Sequence, residues 1–248
     1  MIITIALSVQ ITLSVIYGVH KNQQFKKAEK IEQIEKQIKI NIMSKLNKYQ
    51  GTSILSQNAK MKKTSKENNV NLFNFGIPAY KTASGKMTCP FAKDCVKFCY
   101  AQKGAYSWSN VKPAFEKRYE LTKDENFVSI MGDAIKGTKA THIRIHDSGD
   151  FYSMDYIFNW FTIAVNNPDV TFYFYTKSIS LFKGLELPKN MFSIYSYGSK
   201  NDSLINKAVD RHAVIFNSLQ ELNEAGYTDC SNNDLAIMNT KKVGLILH

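Results

Sequence analysis

Arginine is scarce in this chain: Arg118, Arg144 and Arg211 are the whole complement among 248 residues. Base edges in DNA are read best by the planar guanidinium fork, so sequence-specific DNA recognition is not expected here. Cysteine is sparse too, four in all, and three of them crowd between Cys89 and Cys99. That distribution excludes the evenly spread disulfide framework of a small secreted protein and suggests a metal centre instead. Glycine-rich phosphate loops, Gly-x-Ser-x-Gly elbows and His-Glu-x-x-His helices are absent, which removes support from nucleotide-binding and hydrolase classes. Apolar residues make up 44% and aromatics 12% of the chain, enough to bury one substantial core, and this excludes disorder throughout.

The net charge of +11 is placed unevenly. Residues 1–67 hold twelve Lys and four Glu (+8), whereas residues 68–248 hold 20 basic and 17 acidic residues (+3). A nearly neutral folded part weakens a general nucleic-acid reading, because phosphate binding by a domain needs basic residues on the domain itself. Residues 1–19 carry no charge and run directly into His20-Lys21 and Lys26-Lys27. Nineteen such residues are just long enough to span a bilayer, and the lysines that follow would hold the C-terminal side in the cytoplasm, where cysteines stay reduced. The readings for this segment are a signal anchor making membrane contact, or a start at Met43 with the preceding residues lying outside the native product. Ile31, Ile34, Ile38 and Ile42 lie at helical spacing within a polar stretch over 22–49. The expected organisation is therefore an N-terminal helical extension over 1–49, a linker or loosely docked lead-in over 50–69, and an α/β domain over 70–248.

From residue 70 onward, short β-rich runs alternate with helical stretches. VNLFNFGIP, HIRIHD (His142 to Asp147), VTFYFYTKS, MFSIYSYGS, AVIFNS and VGLIL read as strands. Helices are expected over Pro113–Thr122, Glu125–Lys136, Met154–Val165, Leu204–Val209 and Leu219–Glu224. Strand and helix at βα spacing argue for a mostly parallel sheet, either doubly wound or an incomplete (β/α) barrel, the latter preferred. In both, the loops after the strand C-termini carry the chemistry. Those loops are polar here: Asp147-Ser148-Gly149-Asp150, Thr176-Lys177-Ser178, Tyr197-Gly198-Ser199 and Asn217-Ser218.

Cys89, Cys95 and Cys99 are separated by five and then three residues. Thiolates are soft ligands for zinc or iron-sulfur clusters, and three on one loop can close around a single centre. The missing fourth ligand could be Cys230 or a histidine in a closed zinc site, or a bound substrate on a four-iron cluster with one open iron. The plain alternative is three reduced cysteines, two of them simply buried. His146 and Asp147 are the candidate catalytic pair, with strand alternation expected to put His142, Arg144 and His146 on one face. For Asp150 the plain alternative is a helix N-cap, and for Lys177 a solvated lysine. Tyr173, Tyr175, Tyr195 and Tyr197 read as core or helix-facing.

Cys89-Pro90, Cys95, Cys99-Tyr100-Ala101, Gly104, Tyr106, the run Ile143 to Phe151 and the run Phe174 to Ser178 together resemble the uncharacterised phage and plasmid family called gene product 88, over roughly residues 68–248. A looser similarity is to radical S-adenosylmethionine enzymes, whose partial barrels place three cysteines after the first strand. The cysteine gaps differ from the usual three and two of that superfamily, although Phe98 does precede Cys99. That second similarity implies a [4Fe-4S] cluster on Cys89, Cys95 and Cys99 whose open iron takes the amine and carboxylate of S-adenosylmethionine, with the segment Ser148-Gly149-Asp150 at the cofactor and Ser148 and Asp150 contacting its amine. Lys177, at the next strand end, is a cofactor-site candidate on its own chemistry, able to bind a carboxylate or phosphate or to form a Schiff base. Zinc is the alternative metal. The substrate is left open between a small molecule and a macromolecule.

Overall fold

The computed structural model describes residues 23–40 and 53–247. The chain divides into two units, residues 1–50 and 51–248. In the first, residues 23–40 form one helix, α1, on which Ile31, Ile34 and Ile38 stay about half exposed. The expected anchor at residues 1–19 and the alternative start at Met43 lie outside the described residues. Among the described residues, no helix is long and apolar enough to cross a membrane.

The second unit runs α2 (Ala59–Asn68), β1 (Leu72–Phe75), α3 (Lys112–Leu121), α4 (Phe127–Thr138), β2 (His142–Ile145), α5 (Met154–Val165), β3 (Thr171–Thr176), α6 (Ile179–Phe182), β4 (Met191–Ser196), β5 (His212–Phe216), α7 (Leu219–Glu224), β6 (Thr228–Asp229) and β7 (Lys242–Ile246). All strand pairs are parallel, in the order β1-β2-β3-β4-β5-β7-β6. From β1 to β5 each new strand is added on the same side of the last. Right-handed crossovers then put the connecting helices on one face, and the sheet curls into a half-barrel. A doubly wound sheet would need the strand order to reverse near its middle; here the order runs one way through β5, and only the last two strands turn back, β7 lying between β5 and β6.

The two faces have different fillings. Phe75, Ile143, Ile145, Phe172 and Phe174 are fully buried on the convex side, where the Phe75 ring lies 5.4 Å from Trp160 of α5 and 5.9 Å from Phe127 of α4. Each such side chain contributes about 1.5–3 kcal/mol by leaving water. Helix α5 forms as its sequence dictates: Ser153 caps it by accepting from the Tyr156 amide, Tyr156, Ile157, Trp160, Ile163 and Ala164 make the buried stripe, and Asn166 ends it. On the concave side Leu72, Tyr173, Ile194, Ala213 and Val243 pack with Met61 of α2, Cys230, and Ile237 from a 3-10 turn over Asp234–Asn239.

Two expectations need correction, and one short strand was not anticipated. The stretch 50–69, expected to be a linker or loosely docked lead-in, belongs over its described residues to the folded unit. Its helix α2 buries Met61 and Thr64 completely, and Ser56 bridges to Asn74 of β1. Two buried positions on an otherwise polar helix leave too faint a period to read. The helix expected at Leu204–Val209 is instead a 3-10 turn, Asp202–Leu204, because the Asp202 carboxylate ties back to the amides of Gly198 and Ser199. The two-residue strand β6 has no sequence signal of its own, since pairing with β7 defines it.

The concave face is pinned by one buried carboxylate. Asp234 accepts from Lys60 Nζ of α2 at 2.6 Å, Arg144 Nη1 of β2 at 3.1 Å and Tyr173 Oη of β3 at 2.7 Å. Burial by itself would raise its pKa, but the two cations outweigh burial and hold it down at about 2.

Candidate active site at the strand C-termini

The mouth of the half-barrel is built around the turn that follows β2. At His146 the backbone takes φ +67, a left-handed conformation rare for a residue with a Cβ. This breaks the alternation. His142 and Arg144 share one face as expected, the concave one, but His146 swings to the convex side, where its ring meets Phe151 at 4.6 Å and its Nε2 shares a 2.9 Å hydrogen bond with Tyr156 Oη. Burial and then Arg144 push its pKa down to about 3, so the imidazole is neutral at physiological pH. The expected row of His142, Arg144 and His146 on one face is therefore corrected at its third member.

Asp147 comes next and is buried. Tyr106 Oη donates to its Oδ2 at 3.2 Å, and Tyr100 Oη donates to its carbonyl oxygen. Its Oδ1 lies against Gly76, where an added Cβ would come within 2.1 Å of it, so only glycine fits there. Burial raises the Asp147 pKa, partly offset by Arg144 and Arg118. Ser148 accepts from the Ile77 amide through its carbonyl, and Gly149, at φ +81, lets the turn close over Ile77.

Asp150 is a clamp rather than a cap. Its Oδ1 accepts from the Phe151 amide and Thr176 Oγ1, both at 2.7 Å, and its Oδ2 accepts from the Lys177 amide at 2.8 Å. The N-cap of α5 is Ser153, so the reading of Asp150 as the cap is corrected. All three bonds are internal, and together they tie the loop after β2 to the end of β3. Burial nevertheless raises the Asp150 pKa. Lys177 emerges from that end with its Nζ donating to Ser196 Oγ at 2.9 Å, so it is not the freely solvated lysine of the plain reading.

The cysteine loop roofs this turn. Thr88 holds it on both sides: its hydroxyl donates to the Pro78 carbonyl, and its carbonyl accepts from the Asp150 amide. Cys89 Sγ accepts from the Tyr80 amide at 3.4 Å. Burial pushes the Cys89 thiol up to about 12, with Asp150, Cys99 and Cys95 adding to the rise. Cys95 sits on a 3-10 turn, Asp94–Phe98, seated against Gly198, where an added Cβ would stand 3.5 Å from the Cys95 Cβ and 3.6 Å from Lys177 Cε. Burial raises the Cys95 thiol, and Lys177 opposes that rise. A bridge between Ala92 and Ser199 fastens the loop to the end of β4.

The three thiols, Asp150 and Lys177 thus share one electrostatic neighbourhood. Three thiols and an amide donor to sulfur suit a thiophilic centre. Among the described residues, no group of three or more His, Cys, Asp or Glu side chains is already drawn into a metal-binding arrangement. Cys230 lies elsewhere, fully buried on the concave side in the cluster with Met61 and Leu72. Burial raises its thiol to about 11, and the charged groups acting on it are Lys60, Asp229 and Asp234 rather than the other cysteines. Tyr100, Tyr106, Gly198 and Asp202 complete the mouth. Sequence reasoning gave the first three no separate role and passed over Asp202, because nothing in local spacing links them to Asp147 or Cys95.

The sequence profile of the gene product 88 family matches residues 52–247. Over 116 residues the chain is 30% identical to the Gene 88 protein of Mycobacterium phage L5, an alignment covering 42% of this chain and 47% of that one. The chain thus matches about half the length of that relative. No solved structure matches.

Proposed function

The chain belongs to the gene product 88 family, and from that premise we propose that it is an iron-sulfur enzyme resembling radical S-adenosylmethionine enzymes. The observation that carries this reading is the placing of three thiols, Cys89, Cys95 and Cys99, on one loop over the C-terminal mouth of a parallel half-barrel. In this reading those cysteines would hold a [4Fe-4S] cluster, which when bound would supply an electron to S-adenosylmethionine. The high Cys89 pKa means that loading displaces a proton, so it is favoured by alkaline conditions.

The remaining residues position and exclude. Lys177 offers an ammonium, already oriented by Ser196, to the carboxylate of the cofactor. Ser148 and Gly149 form the tight turn that faces it. Asp150 acts through Lys177, whose amide it holds. His146 wedges the turn against α5, and Asp147 anchors Tyr100 and Tyr106, which hold the cysteine loop over the mouth. The alternative function, a zinc-stabilised, non-catalytic binding module whose closed four-cysteine site recruits Cys230, is disfavoured by the burial of that residue under α2.

Anaerobic reconstitution followed by iron and sulfide analysis and electron paramagnetic resonance, with and without S-adenosylmethionine, tests the reading. A brown protein is expected, colourless after Cys89→Ala, Cys95→Ala or Cys99→Ala and still brown after Cys230→Ala, with a spectrum altered by the cofactor. A colourless protein holding stoichiometric zinc would overturn it.

A further inference from the structure

The positive charge of the folded unit sits in two stretches, α2 and the segment formed by the cysteine loop and the start of α3. The unit 51–248 holds 24 basic and 18 acidic residues, a net +6; from Lys86 to Lys117 six lysines against Asp94 and Glu116 supply +4, and α2 supplies +3 from four lysines and Glu67, which leaves the rest at −1. On α2, Lys60 and Lys63 are already paired with Asp234 and Glu67. All six lysines are exposed, and Lys93, Lys103 and Lys112 make no ion pair among the described residues, while Lys97 is paired with Asp94. The same loop presents large rings to solvent: Trp108 is 61% and Phe98 41% exposed, and neither packs on another ring among the described residues. These rings stand on a braced scaffold, because consecutive 3-10 turns and the bond from Tyr100 to the Asp147 carbonyl fix the loop over the barrel mouth.

Exposed flat rings interleaved with free ammonium groups match a polyanion whose units also carry flat faces. We propose that this loop docks a single-stranded nucleic acid, with Phe98 and Trp108 stacking on bases and Lys93, Lys103 and Lys112 meeting phosphates. This deepens the reading of the mouth as an active site and rests on it, by naming the class of substrate that the loop delivers there. Stacking and phosphate contacts do not read base edges, which agrees with the scarcity of arginine. A lipid surface fits less well. Membrane-seating loops add aliphatic bulk to their aromatics, and between Ile77 and Leu121 this chain has neither Leu nor Ile.

The test uses the full chain without reconstituted metal and a labelled 20-nucleotide single-stranded DNA of mixed sequence, read by fluorescence anisotropy. The same sequence as RNA, as a duplex, and vesicles of phosphatidylcholine with phosphatidylserine form the other arms. Single-stranded DNA and RNA are expected to bind comparably, and at least tenfold more tightly than the duplex. Three phosphate contacts predict that a tenfold rise in salt lowers the affinity roughly a hundredfold. The F98A/W108A and K93E/K103E/K112E variants should each lose at least tenfold with an unchanged thermal midpoint. Trp108 gives a second readout in the unaltered protein, since the only other tryptophan, Trp160, is fully buried and should not respond. Its emission should be quenched on binding.

Lack of single-strand binding, equal binding to duplex, or binding to vesicles alone would overturn the proposal. So would affinity that survives both loop variants but is lost in K26E/K27E/K30E. Because no cluster is needed for these measurements, a failure to load iron with nucleic-acid binding intact would count against the enzyme reading and leave the docking surface standing.

Discussion

Asp150→Asn separates a structural clamp from a cofactor ligand. In the native protein both carboxylate oxygens are engaged: Oδ1 receives the Phe151 amide and the Thr176 hydroxyl, and Oδ2 receives the Lys177 amide. An asparagine can place its oxygen at the Oδ1 position, keeping two of these bonds, but its NH2 then faces the Lys177 N–H, donor against donor. Flipping the amide is worse, because it opposes the Phe151 N–H. Leaving one buried amide unpaired costs about 1–3 kcal/mol, and the two retained bonds each weaken by about 1 kcal/mol on losing the charge. Removing a desolvated charge returns part of this. The net expectation is a loss of about 2–3 kcal/mol, which for a unit of this size lowers the thermal midpoint by roughly 5–10 °C. Urea denaturation of the cofactor-free protein measures it, with Ser153→Ala as the true N-cap control at about 1 kcal/mol. A cycle with Thr176→Val should give a coupling of about 1 kcal/mol or more. An unchanged midpoint with no coupling to Thr176, accompanied by a tenfold loss of S-adenosylmethionine affinity, would refute the clamp and make Asp150 a direct ligand.

Asp234 predicts a pH dependence with a definite sign. Its folded pKa of about 2 lies below the ordinary value of 3.8, so its contribution is fully present above about pH 4 and disappears as pH falls from there toward 2. The shift corresponds to about 2 kcal/mol, and the difference in urea stability between the native protein and Asp234→Asn should shrink by that amount across this interval. A difference that stays constant with pH would show that the carboxylate is not held by Lys60 and Arg144. Gly149→Ala tests the turn after β2: φ is +81 and the new Cβ would lie 2.3 Å from Ile77 Cγ1. Backbone strain and overpacking together should cost about 2–4 kcal/mol by calorimetry, and a loss below 0.5 kcal/mol would contradict the packing described.

Much of the architecture was legible in the sequence. Runs such as FYFY, apolar nearly throughout, mark strands buried on both faces, and the helical stretch Met154 to Val165, ended by Asn166-Asn167-Pro168, marks α5 over the span that the structure shows, although its cap is Ser153 and not Asp150. These signals survive because they depend on neighbours within a turn or two. Alternating strand and helix also implied the parallel sheet, since a parallel connection needs a crossover. The three cysteines and the polar strand ends were visible for the same reason, each being a local cluster of residue types.

What folding alone decided is which of those groups meet. A single left-handed residue, His146, reverses the side to which its imidazole points, and no periodicity reports a φ. The Asp150 carboxylate closes on Thr176 and Lys177, more than twenty residues away, and Asp234 collects Lys60, Arg144 and Tyr173 from three separate elements. Cys230 resembles the other cysteines in composition yet belongs to the core beneath α2. Such contacts are set by strand order and by the curl of the sheet, which bring distant segments together only after the chain has been folded.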